Sequence, residues 1–165
     1  MPPISKGGPI YFAAITALCS AASAQGLVTQ KNISLSLAQT IANAAPLAKC
    51  ESMGFKVSVT VVDRGGLPLV MLRGNGAGLH TPEGSGRKAY TARKFGQPSA
   101  DFVKRMLDNP VSTGSRLYTR VLALDGFLPI KVGDDVVGAV GVSGSPGKDD
   151  ICSQAGIDKV ADQLR

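Results

Sequence analysis

A chain of 165 residues with formal charge +6, 44% apolar and 18% charged residues has room for one independently cored domain and shows none of the charge blocks of a disordered chain. Its Lys and Arg residues are dispersed and accompanied by only three Tyr and five Phe, so the basic stripe or stacking platform of a nucleic-acid binder is missing. No stretch of about 20 apolar residues is present to span a bilayer.

The first residues read as a secretory signal. Lys6 gives a positive start, Ile10 to Leu18 is an apolar run, and Ala22-Ser23-Ala24 has the small-x-small form of a cleavage site. The expected division is a signal peptide over 1–24, a lead-in over 25–34 and one domain over 35–165, with the mature chain beginning at Gln25 in the periplasm or outside the cell. Leu18 before Cys19 is too large for a lipoprotein site, so neither a lipid anchor nor membrane insertion is expected after cleavage. The mature chain keeps Cys50 and Cys152, one possible pair in an oxidising compartment or two small buried hydrophobes.

Ser34 can cap a helix with Leu37, Ile41, Ala44, Ala45 and Ala48 inward, bent or divided near Pro46. Lys56–Asp63 and Leu67–Arg73, separated by Arg64-Gly65-Gly66, read as a hairpin. A glycine loop, Gly74 to Gly78, leads past His80, Thr81 and Pro82 into a helix over about Gly84–Phe95. Ser99 is placed to cap a second helix carrying Phe102, Val103, Met106 and Leu107. Three strands are then expected, Tyr118–Leu124, Phe127–Val132 and Val136–Ser143, and a last helix from Asp149 or Asp150 with Ile151, Ala155, Val160 and Leu164 inward. The order α-ββ-αα-βββ-α is an α+β class with an antiparallel sheet of about five strands.

Several motifs are incomplete. Gly74-Asn75-Gly76-Ala77-Gly78 has Leu79 where the dinucleotide fingerprint needs glycine, and turning the chain is the simpler role. Tyr90-x-x-x-Lys94 lacks the nucleotide-binding unit of a dehydrogenase, and Ser85-x-x-Lys88 lacks the companion motifs of penicillin-binding enzymes. His80 is the only histidine, which excludes Cys/His zinc frameworks, yet a neutral imidazole between a glycine loop and a helix can ligate iron.

Five blocks in order, Val61-Val62-Asp63-Arg64-Gly65-Gly66, Leu72-Arg73-Gly74-Asn75-Gly76-Ala77-Gly78, Arg87-Lys88-Ala89-Tyr90-Thr91-Ala92, Val137-Gly138-Ala139-Val140-Gly141-Val142-Ser143-Gly144 and Gln154-Ala155-Gly156, resemble the HbpS/GlcG-like haem-binding family. They are also similar to the C-terminal domain of PduO-type corrinoid adenosyltransferases. The resemblance implies a profilin-like fold, a homo-oligomer, haem or iron as ligand, and a sensor-protein partner in haem or oxidative-stress sensing. On this reading His80, or failing that Thr81, approaches iron. Arg73, Arg87 and Lys88 meet the propionates, and Met71, Leu79 and Tyr90 line the apolar body. The chain departs from the family pattern at Tyr118-Thr119-Arg120 and Asp125-Gly126-Phe127-Leu128. The alternatives are a small enzyme on an organic acid or corrinoid-like ligand, with Tyr90, Lys88 or Asp63 as acid-base groups, and a structural or partner-binding oligomer.

Overall fold

The computed structural model describes residues 26–165; the expected signal segment and cleavage site, with Cys19, lie outside the described residues. Helices α1 (Leu35–Ala42) and α2 (Ala44–Ser52) precede strands β1 (Ser58–Asp63) and β2 (Pro68–Arg73). Helices α3 (Thr81–Phe95) and α4 (Ser99–Asp108) and a 3-10 segment (Pro110–Leu117) follow. Strands β3 (Phe127–Val132) and β4 (Asp135–Ser143) and helix α5 (Asp149–Asp158) complete the domain. The sheet is antiparallel throughout, in the order β2-β1-β4-β3.

The expected first helix is divided at Asn43, whose extended backbone lets Pro46 sit in the first turn of α2, where a missing N–H costs nothing. Ser34 caps α1 as expected, accepting from the Leu37 amide. Its inward face is Ala38, Ile41 and Ala42, with Leu37 half-buried; in α2 Ala48 is exposed, and the side chains of Ala44 and Ala45, also expected inward, lie outside the description.

Two apolar clusters lie on opposite sides of the sheet. Under α1, α2 and α5, Val57, Val59, Val61, Val140 and Val142 pack with Ile41, Ile130 and Val160. Under α3 and α4, Val62, Ala89, Ala92, Phe102, Phe127 and Ala139 form the second cluster. Central β1 is therefore buried on both faces, and its α3-facing hydroxyls pair with helix hydroxyls: Ser58 with Thr81 and Thr60 with Ser85, both at 2.8 Å. Helix α3 reaches the sheet closely because Gly141 has no side chain; a Cβ there would stand 2.4 Å from the Ser85 carbonyl.

The sheet has four strands, not five. Tyr118–Leu124 is irregular because α3 side chains take its backbone groups: the Thr91 hydroxyl accepts the Leu122 N–H, and Arg87 donates to the Val121 carbonyl. Arg120 turns the chain there with φ 70°. The last helical region keeps most of its expected inward residues, with Val160 buried and Ala155 and Leu164 half-buried. Cys152, Ser153 and Gly156 turn inward, whereas Ile151 is exposed. Gly156 allows contact with α1, since a Cβ would lie 2.7 Å from the Ile41 carbonyl.

Cys50 and Cys152 form a disulfide between α2 and α5, with Cα atoms 5.7 Å apart. Closing a loop with a sequence separation of 102 restricts the unfolded chain by about 4.7 kcal/mol on a chain-entropy reckoning. None of the described helices is long and apolar enough to cross a membrane.

Candidate functional site

The N-terminal end of α3, the end of β4 and the 144–149 loop enclose a cleft of roughly 400 Å³, within the ~300–1,000 Å³ common for small-ligand sites. His80, Thr81, Lys88, Ser143 and Asp149 line it, with Leu124 and Pro146 as apolar wall and Lys56 at its edge. The glycine loop sets the histidine. Gly76 turns with φ 78°, and the imidazole folds over Gly78, where a Cβ would meet Cε1 at 2.9 Å. The His80 carbonyl begins the α3 ladder by accepting the Gly84 N–H, while its exposed ring makes no hydrogen bond among the described residues.

Lys88 lies deeper. It is 2% exposed, and its Nζ donates to Asp149 Oδ2 at 2.7 Å and to the Val142 carbonyl at 2.9 Å. Asp149 Oδ1 accepts from both the amide and the hydroxyl of Ser145, at 2.9 and 2.6 Å. The Ser145 hydroxyl also lies 3.0 Å from Cys50 Sγ, so the disulfide backs the ion pair. Gly126, with φ 97°, passes over this pair; a Cβ would stand 2.2 Å from that of Asp149 and 3.1 Å from Lys88 Nζ. A buried charge survives only when so held, because stripping its water costs several kcal/mol.

The residues singled out in the sequence separate into two groups. His80, Thr81 and Lys88 come together in the cleft, with the Thr81 hydroxyl buried against Ser58. The others do not line it. Arg73 is folded back, both Nε and Nη2 donating to the Ala77 carbonyl, and Arg87 is drawn to the Val121 carbonyl and Glu83. Met71 is 52% exposed on edge strand β2. Leu79 is 93% exposed beside the histidine but not among the lining residues. Tyr90 belongs to the opposite end of α3, packed on Gly66 with the Arg120 guanidinium 4.3 Å from its ring centre. There Arg93 donates to the Arg64 carbonyl, and burial, followed by repulsion from Arg64, lowers its pKa. Asp63 is spent within the hairpin, accepting from the Leu67 amide. Tyr90 and Asp63 thus give Lys88 no acid-base partner in the cleft.

Ser143 and Asp149 were not singled out. Ser143 ends an apolar strand and Asp149 resembles any helix-starting aspartate; only the pairing of β4 with β1 and the close approach of α3 bring them to Lys88. A larger groove of about 820 Å³ runs between α4 and α5, lined by Ala100, Leu128, Ile151 and Ala155. It shares no lining residue with the cleft, and its central polar groups are engaged, Asp150 by Ser99 and the Gly126 amide, Gln154 by Asp158. Among the described residues no three His, Cys, Asp or Glu side chains cluster as a metal site.

Residues 33–158 match the family model described as haem degrading protein, HbpS-like. The chain belongs to the HbpS-like family. This HbpS-like chain is 34% identical over 119 residues to an uncharacterized 15.0 kDa protein from the dhaT-dhaS intergenic region of Citrobacter freundii, spanning 68% of this chain and 80% of the relative. Its fold matches the crystal structure of a Streptomyces reticuli HbpS double mutant with TM-score 0.76 and 32% identity, over 87% of this chain and 97% of that one. PduOC, solved as a haem complex, shares the HbpS-like fold at 22% identity and TM-score 0.69, over 78% of this chain and 94% of that one. Membership agrees with the resemblance carried by the five sequence blocks.

Proposed function

We propose that the protein is an exported haem-binding protein, serving haem handling or haem and oxidative-stress sensing, and that it works as a homo-oligomer with a sensor protein as downstream partner. The observation that carries the reading is His80: the only histidine of the chain stands at the cleft with an exposed ring that bonds to nothing among the described residues. A neutral imidazole in that state keeps a nitrogen lone pair for iron. The residues fit the group in two further respects. Exposed Leu79 and Leu124 and the Pro146 wall offer apolar contact beside the ring, and Lys56 and Lys88 supply cations for carboxylates. Bound haem would supply the redox and ligand-binding chemistry of its iron. The chain's part would be to hold and orient it, with His80 as the side chain that would meet the iron and Thr81 as second choice. Support also comes from the family description and from the haem complex of the structural relative PduOC.

Haem titration tests the proposal. A stoichiometric Soret band is expected, and His80→Ala is expected to weaken binding and move the band while far-ultraviolet dichroism stays unchanged. An unchanged band and affinity in His80→Ala would remove histidine ligation. Because the family is described as haem degrading, the titration is followed in time with a reductant present; steady loss of the band would mark turnover rather than storage.

A further inference from the structure

We infer that the floor of the cleft, Lys88 with Ser143, is a subsite for a carboxylate of the ligand. Lys88 has three ammonium protons, and the described residues take two, through Val142 O and Asp149 Oδ2. Ser143 is 7% exposed, lines the same cleft and has no hydrogen-bond partner among the described residues. Facing the cleft, that hydroxyl is left to meet water or an entering guest. Its room is kept by Gly84, where a Cβ would stand 2.6 Å from Ser143 Oγ.

The acidic oxygens nearest the floor are already engaged as acceptors, and Lys88 offsets the charge of Asp149. Both oxygens of Asp149 are engaged, by Ser145 and Lys88, and Asp125 Oδ2 accepts the Gly147 amide. What remains on offer is one ammonium N–H and one hydroxyl, two donors suited to the two oxygens of a carboxylate. Asp149 and Ser145 are positioning residues, because their bonds fix the Lys88 ammonium, Asp149 directly and Ser145 through Asp149. A carboxylate can arrive as a haem propionate or on a free small organic acid. The inference stands whichever brings it and does not require haem to be the ligand.

Sodium propionate is the probe, with propionamide as its uncharged counterpart, read by amide chemical shifts of the full mature chain. Saturable shifts at Thr81, Ser143 and Gly144 are expected with propionate, and binding of propionamide about tenfold weaker or worse. Ser143→Ala, which removes no described hydrogen bond, is expected to weaken propionate several-fold in a folded protein. The pair replacement Lys88→Met with Asp149→Asn, which leaves no orphan charge and keeps an oxygen for Ser145, is expected to abolish the selectivity. Equal binding of propionate and propionamide, or wild-type propionate affinity in both variants, would overturn the inference. Haem and its dimethyl ester separate the sources: an ester about tenfold weaker assigns the subsite to haem propionates, and an equal ester assigns it to free acids. Propionate selectivity without any Soret band would defeat the haem reading and leave this one standing; a Soret band without propionate selectivity would do the reverse.

Discussion

The two faces of the sheet are built by different means. Under α1, α2 and α5 the contact is made by Val, Ile and a disulfide, the ordinary material of a core. Under the N-terminal half of α3 it is made by Gly141, hydroxyl pairs and a buried ion pair. The first face tolerates conservative exchange because apolar packing is non-directional. The second has directed bonds and almost no slack, and the cleft opens at its edge. The arrangement shows why a site belongs there: the groups that pack the helix are the same kinds that meet a polar ligand.

Breaking the α3 face is expected to give the largest losses. Gly141→Val would drive a side chain into the Ser85 carbonyl and the Ala89 amide, 2.4 and 2.5 Å from the Cβ position, and is expected to leave no cooperative folding transition. On the apolar face, Cys50→Ala with Cys152→Ala is expected to cost about 4 kcal/mol in urea unfolding, with the fold retained. Asp149→Ala strands the Lys88 charge and is expected to cost about 3–5 kcal/mol, whereas Lys88→Met with Asp149→Asn, which keeps an acceptor for Ser145, is expected to recover part of it. Such a recovery would sharpen the contrast, since it would mark the pair as serving something other than stability. Thr60→Val, which leaves Ser85 bonded to the Pro82 carbonyl, is expected to cost about 1 kcal/mol. Leu79→Ser, far from both cores, is expected to shift stability by no more than about 0.5 kcal/mol while weakening haem binding.

The two faces also differ in how readily the sequence discloses them. The β1–β2 hairpin announces itself through β-branched alternation around Arg64-Gly65-Gly66, and the start of α5 through Asp149 and Asp150, because both signals are local. Cys50 and Cys152 offer a pair that only proximity decides. The expected strand at Tyr118–Leu124 has strand-like side chains, but its N–H and C=O groups are claimed by Thr91 and Arg87, residues some 30 positions away. Lys88 carries no mark of burial in its neighbours Arg87 and Ala89; its surroundings come from β4, the 125–126 turn and α5. His80 and Thr81 were legible because the loop before them and the helix after them are adjacent in the chain. Arg73 and Arg87 looked available for a ligand because sequence does not show the carbonyls that hold them.

The Ser145 hydroxyl, set between Cys50 Sγ and Asp149, gives the protein a memory of how it was prepared. In a reduced sample the sulfur at that contact is a thiol, a donor as well as an acceptor, and the hydroxyl then has a choice of direction that the half-cystine does not give it. Batches of one sequence made in a reducing and in an oxidising compartment are therefore expected to differ in how firmly Ser145 holds Asp149. Ligand affinities measured on them are comparable only after the thiol content has been titrated.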